Sequence, residues 1–434
     1  MKIAIIGGGF TGLTAAYELV KTGHNVTLFE KEKTLGGLAI GFRAPGWEWS
    51  LEKGYHHLFT NDRDIIDLLG ELKLGDALII KRPITANYTA NGVYQMDSPG
   101  NLLSYPELSL ASRLRTAALL AGIKLNPFWQ PFEFVTAETL FENIGGKETW
   151  KHLWEPLVVG KFGDYAGTVA ASWLWARIKK RTTELAYIAG GFQTLVDALE
   201  KEIRIKGGTI LTGVPIDRIV LKNLSFGIGH GVFDKVLLTV PTPVIAKLVP
   251  DLTDSLSEAL TIPHLHAQTL ILETKEPILK DVYWLNILDR TFPFLAVVAH
   301  TNFMDKKHYG GHHVTYFGNY LPTGQMYLSM TKDQLLKEFL PYIRKLNPLL
   351  NSKFLILNSF LFVGPYAQPV HQLHYSRRAP KLDPPAGGRI PNLYIANLDS
   401  IYPWDRGTNY AVELGKRAAD QIIGAKKTHY SSSM

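Results

Sequence analysis

Six residues close to the N-terminus have the types and spacing to hold a phosphate. Gly7-Gly8-Gly9-Phe10-Thr11-Gly12 come after a short isoleucine-rich run at residues 2–6 and precede helix-forming residues 13–20. Strand, glycine turn and helix in that order are what a dinucleotide requires. Gly7 permits the tight turn, Gly9 lets a pyrophosphate reach the backbone, and Gly12 lets the helix lie against the strand. Phe10 and Thr11 stand in the first helical turn, whose free N–H groups and dipole favour an anion. A second expected strand, 25–29, ends at Glu30, close to the spacing at which a carboxylate grips a ribose hydroxyl and disfavours a 2′-phosphate.

The residues just beyond Glu30 point to the cofactor. The segment Glu30-Lys31-Glu32-Lys33-Thr34-Leu35-Gly36-Gly37 resembles the acid-plus-five-plus-GlyGly pattern of a large FAD family. That family holds amine oxidases, protoporphyrinogen oxidases, phytoene desaturases and, more distantly, UDP-galactopyranose mutases. The resemblance implies FAD, bound by the residues already named together with Lys31, Gly36 and Gly37. The glycine pair marks a second close approach of backbone to cofactor, where a Cβ would intrude. The resemblance also puts Val214 where the backbone contacts the adenine, although Val214 reads equally as a plain strand valine. It aims the N-terminus of the last helix at the pyrimidine end of the flavin, where its dipole would stabilise negative charge. Asn409 is the expected ligand there, or else a simple N-terminal cap. The chain departs from the family at one point: the usual Ala-Gly-acid is Ala396-Asn397-Leu398, with Asp399 one place later. The acid that meets the ribityl or pyrophosphate is therefore open.

Side chains that could act on a substrate are fewer. The stretch Glu52-Lys53-Gly54-Tyr55-His56-His57-Leu58-Phe59-Thr60 looks like the mutase segment that passes the flavin ring. His57 takes the place of the matching histidine and could bond the ring or bias its charge. Tyr366-Ala367-Gln368-Pro369 resembles the turn before the flavin-facing C-terminal strand, so Tyr366 is expected to face the cavity. Residues 154–163 resemble the floor of the substrate cavity in protoporphyrinogen oxidases, with Trp173 and Trp175 close behind. Flavin amine oxidases carry a lysine on a substrate-domain strand; the segment that looks equivalent here, 267–277, has Gln268 and Thr269 in its place. No general base can be named. His264/His266, His312/His313 and His371/His374 are close pairs, but without HExxH, a carboxylate-rich companion or any cysteine they do not define a metal site.

These residues need a scaffold of more than one unit. A chain of 434 residues exceeds one simple core. Its hydrophobic and charged fractions, 46% and 20%, are those of a globular protein. The absence of cysteine excludes disulfides, thiolate nucleophiles and a cysteinyl flavin. A net charge of +7 suits an anionic cofactor, ligand or membrane surface, but the basic residues are scattered and do not indicate nucleic acid. No apolar run is long enough to span a membrane, and a cytoplasmic protein is expected. An interfacial helix carrying Arg113, Arg115, Leu119 and Leu120 would allow peripheral membrane contact.

The expected fold is α/β: a Rossmann-type (GR2-like) FAD-binding domain from residues 1–75, 186–245 and 389–425. An interleaved α+β substrate domain takes 76–185 and 246–388, and 426–434 is a frayed tail. The expected function is hydride transfer from a C–H or C–N bond of an apolar or planar small molecule to flavin N5, with oxygen or a quinone as acceptor. A mutase acting on a sugar nucleotide is the first alternative, with Arg177, Arg181, Arg377, Arg378 and Arg406 available for a diphosphate. A non-catalytic flavin-binding protein is the second.

Overall fold

The computed structural model describes all residues except 223–224, 230, 348–353, 383–389 and 425–434. The expected tail, 426–434, lies outside them.

The first strand, Lys2–Ile6, is buried along all but its first residue. Its side chains alternate between two cores: Ile3 and Ile5 face one, Ala4 and Ile6 the other. A strand covered on both faces must sit at the centre of a sheet, and this one does. The order is Thr209–Thr212, Asn25–Glu30, Lys2–Ile6, Lys235–Leu238, Leu393–Ile395, with every pairing parallel. Strand order reverses beside Lys2–Ile6, and such a switch point is where open α/β sheets bind ligands.

Helices Phe10–Lys21, Gln193–Ile205 and Thr408–Ile423 belong to the first core. Two of them touch backbone to backbone, since a Cβ on Gly415 would lie 2.6 Å from the Thr11 carbonyl oxygen. On the opposite face lie a three-stranded antiparallel sheet (Val220–Lys222, Ser225–Ile228, Gly231–Phe233) and the helix Thr242–Leu248. The strand that begins at Thr209 ends at Thr212, and the chain pairs again from Val220 in the antiparallel sheet. This corrects one expectation. The boundary placed at 246 falls inside a helix whose Ile245 and Leu248, with Leu252 and Ala259 beyond it, pack in the same core as Ile6 and Phe29.

The second unit is built on a seven-stranded sheet. Its order is Ile356–Pro369, His264–Thr274, His313–Leu321, Ala296–Ala299, Val282–Ile287, Ile84–Thr89, Gly92–Gln95. All its pairings are antiparallel except Val282–Ile287 with Ile84–Thr89. Helices between residues 99 and 180 flank it, and Trp173 and Trp175 are core residues there. Helix Leu110–Leu125 buries Leu119 and Ile123 and leaves Leu110, Leu114 and Leu125 exposed. The apolar side expected at Leu119 thus faces protein. Arg113 and Arg115 donate to backbone carbonyls of Leu108, Leu103, Ile144 and Asn143. Among the described residues no helix is long and apolar enough to cross a membrane.

Candidate active site

The two glycine segments meet back to back. Gly36 donates to the Gly8 carbonyl (2.9 Å), and a Cβ on Gly37 (φ +59) would stand 2.9 Å from Gly9 Cα. A Cβ on Gly12 would reach to 2.0 Å from the Gly7 carbonyl oxygen, so the helix lies as close to the turn as the spacing implied. The outer side of Gly9 is open, with nothing nearer than Gly37 Cα at 3.7 Å. The N–H groups of Phe10, Thr11 and Gly12, in the first helical turn, have no partner inside the helix. Phe10 itself is core, edge-on to Phe192. Glu30 lies at the end of its strand with its carboxylate accepting from Gly8 N–H (2.7 Å) and Glu32 N–H (2.9 Å). Val214 N–H donates to the Glu30 carbonyl (3.0 Å), which leaves the Val214 carbonyl as the group it offers. Lys31 is exposed and, among the described residues, pairs only with Glu32 (3.6 Å). A cradle with no room for a Cβ, an open backbone face and a carboxylate beside it fit the pyrophosphate and ribose of FAD.

The third block differs in detail. Asn409 is buried at the start of helix Thr408–Ile423. Its Oδ1 accepts from Ile65 N–H (3.1 Å) and its Nδ2 donates to Asp64 (3.4 Å). Its side chain therefore anchors the helix Arg63–Glu71, and the backbone N–H groups of this first turn are what it leaves free. Asp399 is buried, bonded to His264 Nε2 (2.7 Å) and to the Thr242 hydroxyl. Tyr366 stands nearby with φ +53, its ring against His264 and His266. The structure thus puts Tyr366 in the Asp399–His264 cluster, among different neighbours from those of His57.

His57 lies on an aromatic wall. Its ring meets Phe59, Tyr283 and Trp284 edge-on, and Tyr55 meets Trp284 and Tyr316. Nδ1 is 3.2 Å from the Tyr283 hydroxyl. Burial pushes the imidazole down to about 3, and the charges of Arg181, His56, Arg177 and Arg406 press the same way. Burial raises Tyr283 as well, so both groups are neutral at physiological pH. The phenol can then donate to Nδ1 and leave Nε2–H as a donor. His56 is tied to the Gly54 carbonyl (2.7 Å). Gln268 donates through Nε2 to the Tyr327 carbonyl and Thr269 through its hydroxyl to the Lys53 carbonyl, while the buried Oε1 of Gln268 has no hydrogen-bond partner among the described residues.

Beneath this wall lies Glu52, which opens the mutase-like stretch but has no role assigned from the sequence. It is fully buried and accepts from Tyr187 O–H and Phe192 N–H, both at 2.7 Å. Burial raises it to about 7 against these bonds. A carboxyl whose folded pKa lies above its unfolded one stabilises most below the unfolded value, near 4.5, and loses that contribution as pH rises through 7. Glu52→Gln, which keeps an acceptor for Phe192, should therefore flatten the fall in stability between about pH 4.5 and 7, a contribution on the order of 3 kcal/mol. Melting midpoints of both proteins at the two ends of that window check it; parallel profiles would refute the assignment.

The parallel sheet, the paired glycine cradles and the second sheet that brings aromatic side chains to the His57 segment define a two-unit dinucleotide-binding flavoprotein. Comparison with known proteins makes this specific: the chain belongs to the flavin-containing amine oxidoreductases, whose family model matches residues 10–423. Mitochondrial protoporphyrinogen oxidase of Nicotiana tabacum is 30% identical over 168 residues, 37% of this chain and 32% of that protein. The flavin-dependent L-tryptophan oxidase of Lentzea aerocolonigenes is 27% identical over 308 residues, 61% of this chain and 62% of that one. The chain therefore spans from about a third to under two thirds of these relatives. Among solved structures, reduced UDP-galactopyranose mutase has a TM-score of 0.77 at 16% identity, covering 98% of this chain and 96% of that one. Putrescine oxidase bound to putrescine has 0.70 at 14%, covering 98% and 99%. These structural likenesses show the fold.

Proposed function

We propose that this enzyme removes hydride from a C–H or C–N bond of an apolar or planar small molecule. Bound FAD supplies the two-electron acceptor for that chemistry. The observation that carries the reading is the wall of Tyr55, Tyr283 and Trp284 around an uncharged His57. Flat rings hold a flat or apolar substrate and exclude water, and a neutral imidazole donates a hydrogen bond without bringing a full charge. The glycine cradles and Glu30 hold the cofactor, and Gly7, Gly9, Gly12, Gly36 and Gly37 act through the absence of a side chain. Tyr366, among its imidazole neighbours, positions the long strand that ends at Pro369.

Anaerobic addition of candidate substrates to the oxidised protein tests this reading, because a true substrate bleaches the visible flavin band. His57→Phe should preserve cofactor content while slowing bleaching by roughly ten- to a hundredfold. Unchanged bleaching in that variant would remove His57 from the site. A sugar-nucleotide mutase is the second reading. It is favoured by Arg177, Arg181 and Arg406, whose charges all reach His57. The other two arginines do not join them: Arg377 and Arg378 line a separate pocket with Glu258 and Lys381. Turnover that requires prior reduction of the protein would select the mutase.

A further inference from the structure

The helix Leu110–Leu125 packs against the protein on one side only. Ser112, Thr116, Leu119 and Ile123 are buried, the last two against the core that holds Trp173 and Trp175. The opposite side carries Ala111, Leu114, Ala118, Ala121 and Leu125, all exposed. Their alternating steps of three and four are the spacing of a seam at which one helix packs on another. Leu110 and Gly122, also exposed, border the seam, so the whole outward face is free of charge. The basic residues beside it turn back on their own protein: Arg115 binds the Ile144 and Asn143 carbonyls, and Lys124 those of Ile178, Lys179 and Arg181. Gly122 is out of place in this helix unless something approaches it. A glycine inside a helix lowers its stability relative to alanine, and a Cβ here would meet nothing within 4 Å. No close contact among the described residues therefore requires it.

We infer that this face packs against the same face of a second copy of the chain, the two helices running antiparallel about a twofold axis at Ala118. That register sets Leu114 opposite the partner's Gly122 and Leu125 opposite the partner's Ala111. Each large side chain then enters a gap left by a small one, and Ala118 meets its own counterpart at the axis. A face that fits itself is what an isologous contact needs. Small residues at its middle let two backbones approach closely, whereas they would add little apolar burial in lipid. Leu103, whose carbonyl binds Arg113, and Phe128, three residues past Leu125, extend the face at its two ends. Leu103, Leu110, Leu114, Leu125 and Phe128 are 42, 64, 55, 80 and 66% exposed. Together they offer on the order of 600 Å² of apolar surface per copy, near the roughly 800 Å² that each side of a standard interface buries.

Sedimentation velocity of the full, FAD-loaded chain between about 1 and 100 μM reads the association. A dimer that fills as concentration rises is expected. Leu114→Glu and Gly122→Leu should each weaken it at least about tenfold. Flavin content and melting temperature should not fall in either variant, because both positions are open to solvent in the single chain. Ile205→Glu, exposed at the end of helix Gln193–Ile205, should change nothing. The chain has no cysteine, so single substitutions report the register. Ala118→Cys should give a disulfide-linked dimer under mild oxidation, and Ala111→Cys, about 20 Å from its counterpart in the antiparallel pair, should not. A chain that stays monomeric at about 100 μM, a dimer indifferent to Gly122→Leu, or linking through Ala111→Cys in preference to Ala118→Cys would overturn the inference. Flotation of a monomeric chain with vesicles of phosphatidylcholine and phosphatidylglycerol, strengthened by Gly122→Leu, would overturn it too and give the face to a lipid surface.

Discussion

Gly37→Val should yield a folded protein that no longer retains FAD. The new side chain would start 2.9 Å from Gly9 Cα, at a residue with φ +59. Both the strained backbone and the contact push in one direction. Relief requires the two glycine segments to separate, and their separation displaces Gly8 from the Glu30 carboxylate. That carboxylate now accepts from Gly8 and Glu32. Overpacking of this kind costs about 1–3 kcal/mol, so affinity for FAD should fall by roughly ten- to a hundredfold or more. The comparison variant is Gly75→Ala, where a Cβ meets nothing within 4 Å. Cofactor content after gel filtration decides: a colourless Gly37→Val beside a yellow Gly75→Ala is expected, and two equally yellow proteins would refute the cradle.

Asp405→Ala should cost more stability than any other single change considered. It leaves the buried Lys161 without its carboxylate, frees Arg177 and removes one of the two acceptors of Gln368 Nε2, which keeps the Pro369 carbonyl. Removing one partner of a buried ion pair typically costs about 3–5 kcal/mol, because the remaining charge stays desolvated. Much of that cost belongs to Lys161, whose surroundings of Phe162, Trp173 and Tyr320 offer no other anion. Lys161→Met on top of Asp405→Ala should therefore recover part of the loss rather than add to it. Denaturation midpoints of the two single variants and the double variant measure this coupling. Additive losses would mean that the two groups do not act as a pair.

The cofactor half of the site was legible because it is local. Gly7 to Gly12, Glu30 and Gly36-Gly37 fall within one strand–turn–helix–strand unit, and their spacing alone dictates where the backbone can be approached. The substrate half depends on distant partners. His57 is visible in the sequence, but Tyr283, 226 residues later, and Trp284 become its neighbours only in the folded chain, from the strand Val282–Ile287 of the second sheet. Five arginines looked equivalent in the sequence, and only folding separates Arg177, Arg181 and Arg406 from Arg377 and Arg378. Asn409 was a fair choice at a helix start, yet its amide is committed to Ile65 and Asp64, a long-range contact that no local pattern encodes. The misplaced boundary at 246 has a local cause. Pro241 and Pro243 follow the apolar run 236–240 in the sequence and so resemble a strand's end, whereas they stand at the start of helix Thr242–Leu248, where the ring's fixed φ suits a first turn.

Hydride transfer is tested most directly by one anaerobic titration of the oxidised, FAD-loaded protein, followed at the visible flavin band. The titrants are planar or apolar compounds that have an oxidisable C–H or C–N bond. Stoichiometric bleaching by at least one such compound is expected, slowed in His57→Phe. An unbleached flavin across that class, together with turnover of a sugar nucleotide only after prior reduction, would contradict the assignment of the reaction.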